Sequence, residues 1–403
     1  MMNEFDRIID RSNTNALAVK GFADYLFEGS ENFKLTHDQK DMISMWVADM
    51  AFASPAAASD AMKKRIAHPI FGYTMNFDDS YYIAFSNWSK KLYGWSFAKE
   101  ALCVSSGVIP ALYDLIAQIC EADEKVLTFT PAYGYFKHAA DHHNRELVTC
   151  SLNVSDGDYR IDFDDLRVKA ADPKSKLFFL CHPHNPTGRI WTDKELQLFG
   201  EICLENNLII VSDEVHCDLL RKGKTHTPLA KLFPQSDQII TCMAPSKTFN
   251  LAGLMTANII ISNPSLREIW QQRTQPFVNP ISIAAAQGVY ENGYEWLQSL
   301  RSYLDENFVE LERDFRKHLP DAVFKIPDAT YLAWIDLSAY FSPSVNLTQL
   351  FLEKAGVIIE GGEMFISDGG TRVRINVACP RSQLKEATQR IIKTVKSFSE
   401  HKV

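Results

Sequence analysis

Six short apolar runs, each closed by small or polar residues, constrain this chain more than anything else in it. They are ALCVSS (101–106), KVLTFT (125–130), KLFFLCH (176–182), NLIIVSDE (207–214), QIITCMA (238–244) and TANIIIS (256–262). Each is rich in Val, Ile, Leu or Phe and too short for a buried helix, so each is predicted to be a strand covered on both faces. Amphipathic stretches separate them. Between the third and fourth runs, Thr192 and Glu195 have capping-box spacing, and Leu196, Phe199 and Cys203 supply one apolar stripe. Strand, helix, strand in repetition predicts a largely parallel sheet with helices on both sides.

The end of the chain changes rhythm. ATYLAWIDL (329–337) and TRVRINVAC (371–379) alternate like strands, and Pro380 opens a helix with Leu384, Ala387, Ile391, Ile392 and Val395 on one side. With 403 residues the chain exceeds one typical core. The expected division is an N-terminal segment (1–55) that packs with the small domain and a dimer partner, a large domain (56–299) and a small C-terminal α/β domain (300–403).

In open α/β sheets ligands bind beyond the carboxyl ends of the strands, so the residues at those ends matter. Ser106-Gly107-Val108 follows the first run and enters an apolar helix, a turn able to offer backbone N–H groups to a phosphate. Tyr133 follows the second run and could stack on a flat ring. Asn185 sits in the HNPTG turn after the third. Asp213 ends the fourth, an acid that is costly to bury unless a cation answers it. Ser246 and Lys247 follow the fifth. Cys181, His182, His184, His216 and Cys217 lack zinc spacing, so no metal site is expected. The chain contains neither GxGxxG nor GxxxxGK[ST], which removes the main support for a nucleotide. A phosphate cradle, an aromatic plate, an amide, a carboxylate and an amine together suit pyridoxal 5′-phosphate (PLP), which condenses with lysine.

A net charge of −8 disfavours a broad grip on nucleic acid or an anionic membrane. The eight cysteines are scattered singly, which predicts reduced, buried thiols and a cytoplasmic protein. No apolar run approaches the ~20 residues needed to span a bilayer.

The order HNPTG, SDEVH, SK resembles fold-type I PLP-dependent enzymes, the aminotransferase class I/II superfamily. FDRIIDR (5–11), MWVADM (45–50), FGYT (71–74), PHNPTGRIW (183–191), SDEVHCDL (212–219), SKTFNLAGL (246–254), ATYLAWIDL and INVACPR (375–381) are similar to its cystathionine β-lyase or C–S lyase branch. The resemblance implies the fold-type I PLP-transferase fold, with a mostly parallel large-domain sheet flanked by helices. It implies that Lys247 forms the Schiff base and moves the substrate Cα proton, and that Asp213 pairs with the ring nitrogen. Asn185 would bond the ring's 3′-oxygen and assist at the substrate carboxylate, with His216 nearby where many aminotransferases carry tyrosine. Tyr133 would stack on the ring. Ser106, Gly107, Val108 and Ser246 would hold the phosphate, helped by Tyr73 from a second subunit because Met255 stands where aminotransferases have arginine. Arg374 would grip the substrate α-carboxylate.

The implied reaction is α,β-elimination from a small amino-acid substrate, cystathionine or a related thioether, to a thiol, pyruvate and ammonia. Transamination is the alternative, and a weakly catalytic regulatory protein the minor one. The chain departs from the branch at Ala51-Phe52, at 16–22 and at 365–370, positions expected around the substrate.

Overall fold

The computed structural model describes residues 3–29, 33–75, 78–274, 278–366 and 370–400. Seven strands form the large sheet: β1 (Leu102–Ser105), β2 (Lys125–Thr130), β3 (Glu146–Ser151), β4 (Ser175–Cys181), β5 (Ile209–Asp213), β6 (Ile239–Met243) and β7 (Ala257–Ile261). Their order is β1-β7-β6-β5-β4-β2-β3. Pairing is parallel from β6 through β3, while β7 runs antiparallel to both β6 and β1. All six predicted strands are present.

The strands are apolar throughout because both faces are covered. In β5, Val211 joins the core built with α1 (Val108–Ile119), and its neighbour Ile210 joins the opposite core, built with α2 (Asp193–Glu205). Each such fully buried aliphatic side chain contributes roughly 1.5–3 kcal/mol. Helix α2 begins with the expected capping box of Thr192 and Glu195, which satisfies two otherwise unpaired donors. Strand β3 escaped the sequence reading. It lies at the sheet edge, and its partly exposed ELVTCS dilutes the apolar signal.

A second sheet of three antiparallel strands follows the order β8-β10-β9, with β8 (Leu332–Asp336), β9 (Glu360–Gly361) and β10 (Arg372–Asn376). Its core includes Leu384, Ala387, Ile391 and Val395 of the last helix (Arg381–Glu400). Phe5, Met45, Met50 and Phe52 from the N-terminal segment pack into the same core. The 25-residue helix Tyr294–His318 serves two cores, with Leu297 in one and Leu300, Leu304 and Phe308 in the other. Residue 300 therefore lies inside a continuous helix. All eight cysteines are buried and free. Among the described residues, no helix is long and apolar enough to cross a membrane.

Candidate active site

The carboxyl ends of β1, β4, β5 and β6 open onto one cavity of about 280 Å³. Ser106, Gly107, Val108, Tyr133, Asn185, Asp213, His216, Ser246, Lys247 and Arg374 all line it. Ser106 and Arg374, 268 positions apart, meet because parallel strands deliver their ends to one edge, and the second sheet closes over that edge.

Lys247 and Ser246 ride on α3 (Pro245–Thr248), the single turn after β6. Thr248 anchors this turn by donating from Oγ1 to the buried Asp218 carboxylate at 2.8 Å. The Lys247 Nζ donates to the Ala48 carbonyl at 2.7 Å. Burial, assisted by the positive charge of Arg374, pulls the amine down to about 8, against the opposing pull of Asp49, Asp213 and Glu360. The loop after Lys247 is tied to the N-terminal segment by Asn250. Its side chain accepts from Met50 N–H at 3.0 Å and donates to the carbonyls of Met50 and Phe52 at 3.0 and 2.9 Å.

Asp213 and Glu214 end β5 with different surroundings. Asp213 faces the cavity, accepts from Val215 N–H at 3.2 Å and is pushed up to about 7 by burial. Glu214 turns inward, where Ser212 Oγ, Leu229 N–H and His226 Nε2 contact its carboxylate at 2.9, 3.0 and 2.7 Å. His182 and His184, considered as metal ligands, have other contacts: His182 Nε2 meets the Thr227 carbonyl and His184 Nδ1 meets Thr187 Oγ1. Among the described residues there is no group of three or more His, Cys, Asp or Glu able to hold a metal.

Two observations test whether a phosphorylated cationic ring suits this cavity. The His216 Nδ1 is buried without a partner among the described residues, and burial holds the imidazole neutral. The Gly107 backbone, at φ 158°, adopts a conformation restricted to glycine and brings the first turn of α1 to the cavity wall. That turn presents amides that have no intrahelical acceptor. A buried carboxylate, an unpaired imidazole nitrogen, a helix N-terminus and a lysine with a lowered pKa form a donor set that fits PLP.

Arg374 is buried and lies 4.9 Å from the centre of the Phe365 ring. Its Nη1 donates to Asn185 Oδ1 at 2.9 Å, and its Nη2 donates to the Trp46 carbonyl at 3.2 Å and to Glu360. Arg372, two residues earlier, instead pairs with Asp336 at 3.0 Å. Tyr133 belongs to a two-residue strand paired with Phe365–Ile366, and its ring lies 5.3 Å from that of Tyr135.

Tyr73 does not line this cavity. It is 98% exposed, on a stretch that borders a separate cavity with Val278, Pro280 and Ile281. The expectation that Ala51-Phe52 surrounds the substrate is corrected: Ala51 lines a neighbouring cavity with Asn376, and Phe52 is buried in the second core. Beyond Ala48 the backbone at Met50 and Phe52 is held by Asn250. Leu17 does reach the cavity wall, whereas Ile366 pairs with Ala132 and packs against the core that contains Val211. Residues 367–369 of the third departure lie outside the described residues.

Sequence reasoning missed Tyr25, Trp46, Tyr135, Thr256 and Glu360, all of which line the cavity. One of them carried a usable signal. GVIIE (356–360) ends an apolar run with an acid, as IIVSD does.

The aminotransferase class I and II family model matches residues 40–391. Cystathionine β-lyase PatB of Bacillus subtilis is 38% identical over 356 residues, covering 87% of this chain and 92% of that protein. Protein MalY of Escherichia coli is 27% identical, covering 98% and 100%. A PLP-bound C–S lyase from Staphylococcus hominis, solved with L-cycloserine, is 44% identical, superposes with a TM-score of 0.95 and covers 98% of each chain. The convergence of distant strand ends on Lys247 thus has close relatives in both sequence and structure, and this chain belongs to the aminotransferase class I and II family.

Proposed function

We propose that this protein is a PLP-dependent C–S lyase that eliminates a thiol from cystathionine or a related cysteine thioether, the remaining three-carbon unit being hydrolysed by one water to pyruvate and ammonia. The observation that carries the reading is the shared cavity of Lys247, Asp213 and the Asn185–Arg374 pair, in a chain 44% identical to a C–S lyase. PLP, when bound, supplies an electron sink for the charge left at the substrate Cα. Lys247 Nζ takes the Cα proton, a task suited to an amine whose pKa burial has lowered to about 8. The Asp213 carboxylate would keep a proton on the ring nitrogen. Asn185 and His216 would hold the ring's polar edge, with Tyr133 against its face. Ser106, Gly107, Val108 and Ser246 would hold the phosphate. Arg374 takes the α-carboxylate, fixing the Cα–H bond toward Lys247. The Cβ–S bond then breaks readily, because thiols have a pKa of about 8.5 and leave as thiolates.

The protein is further proposed to act as a homodimer in which Tyr73 of each chain reaches the partner's phosphate site, and to divide into the 1–55, 56–299 and 300–403 units. Support for the dimer comes from the exposure of Ile70, Phe71, Tyr73 and Met75 on one apolar stretch.

The decisive experiment measures pyruvate from cystathionine with and without added 2-oxoglutarate. Release without an acceptor is the expected result. A strict need for the keto acid would instead establish transamination. Lys247→Ala should abolish turnover and the visible absorption of lysine-bound cofactor; a wild type that stays colourless after PLP addition would refute the reading.

A further inference from the structure

Glu360 stands where two cavities meet. With Tyr25, Tyr133 and Tyr135 it lines both the active-site cavity and an outer one of about 700 Å³. Acidic Asp24, Glu28 and Asp141 line the outer cavity, with His138 and His142 as its basic groups. Directly across the strand pair, Glu360 faces Arg374 and accepts from its Nη2.

Counting donors on Arg374 shows what a substrate must change. A guanidinium has two edges able to grip a carboxylate at two points, Nη1 with Nη2 and Nε with Nη2. Both edges need Nη2, whose two hydrogens already go to the Trp46 carbonyl and Glu360. Nε is buried and has no partner among the described residues. An arriving α-carboxylate must therefore displace one acceptor. The Trp46 carbonyl is main chain, fixed by the flanking bonds Met45 N–H to Ile358 and Asn376 N–H to Met45. Glu360 is a side chain, and two carboxylates on one nitrogen repel each other.

We propose that Glu360 is the specificity-determining residue of this site: it holds Arg374 until the substrate α-carboxylate displaces it, then turns its carboxylate toward the far end of the substrate. The favoured substrate is a cysteine thioether with an ammonium group at its far end, and a thioether with only a carboxylate there is disfavoured. Asp24 and Glu28 of the outer cavity add to the same preference, whereas Asp141 is already paired with Lys137. This inference rests on the reading that Arg374 takes the α-carboxylate.

The test uses holoenzyme and three cysteine thioethers of matched length: S-(2-aminoethyl), S-propyl and S-(2-carboxyethyl). Wild type should prefer the aminoethyl over the carboxyethyl compound in kcat/KM by roughly three- to tenfold, the size of one partly screened charge contact. Glu360→Gln, which keeps the shape and one hydrogen bond to Arg374, should collapse that ratio, with the propyl compound moving less than either charged one. A wild type without the preference overturns the proposal, as does a preference that survives Glu360→Gln. If the variant fails to load cofactor, the wild-type ratio alone decides. If no thioether yields pyruvate, the lyase reading falls separately; the dissociation constants of ornithine, norvaline and glutamate, read from the holoenzyme's visible spectrum, then carry the same ranking. Arg374→Lys binding all three as well as wild type would instead show that the α-carboxylate assignment had failed.

Discussion

Burial pushes both Asp213 and Glu214 up to about 7, although one faces the cavity and the other is locked into the protein. A carboxyl group whose pKa is raised on folding binds a proton in the folded chain that the unfolded chain has released. The contribution of these two carboxyls to the stability of the cofactor-free protein should therefore fall as pH rises from about 4 to about 7, while His182, His184 and His226, held down to about 3 by burial, contribute in the opposite sense. Asp213→Asn should remove the Asp213 share of that loss, so the stability of wild type relative to the variant should drop across this range and level off above it. Urea midpoints across this range check the point, and a loss unchanged by the substitution would mean that Asp213 is not the proton's holder. The family resemblance picked Asp213 over its neighbour in SDEVH, but the physical reason that Glu214 turns inward is not written in that string. Ser212, Leu229 and His226 decide it, and two of those three lie more than ten positions from Glu214.

At the scale of elements, the turn that carries Lys247 is too short to hold itself. A four-residue helix closes little more than one hydrogen-bonded turn, and nucleation alone is unfavourable. Its geometry is borrowed from Asp218 through Thr248 and from the 50–52 backbone through Asn250. Asn250→Ala removes three inter-segment hydrogen bonds and places alanine at φ 56°, so it should destabilise the protein by about 2–3 kcal/mol. The same change frees the segment whose Ala48 carbonyl holds the Lys247 amine, so cofactor affinity should drop as well. Parallel urea and PLP titrations measure both effects; intact affinity in a destabilised variant would argue against the clamp. The six central strands were legible because burial on both faces writes an unbroken apolar run. The edge strand β3 was not, because it is only partly buried, and the two-residue strands were not, because two residues are too few to show a period.

For the whole molecule, Tyr73 is the test of assembly. A phosphate site that borrows Tyr73 from a partner makes each chain's cavity incomplete by itself. Tyr73→Ala and Lys247→Ala should each be inactive as pure proteins. Subunit exchange between them places both defects in one site of each mixed dimer and leaves the other site whole, so about a quarter of wild-type activity should return. Activity that fails to return, with exchange verified by mass, would remove Tyr73 from the site.

By itself the sequence determined the parallel α/β architecture, the family and the residues at the strand ends, because those follow from local apolar periodicity and from short strings that keep their order. The tertiary structure alone decided which of those residues share a cavity with the N-terminal segment and the second sheet. It brought Ala48 to Lys247, Asn185 to Arg374 and Glu360 across from Arg374. These contacts join positions 14 to nearly 200 residues apart; strand pairing within the second sheet selects the Glu360–Arg374 contact, and packing of that sheet and the N-terminal segment against the large domain selects the other two.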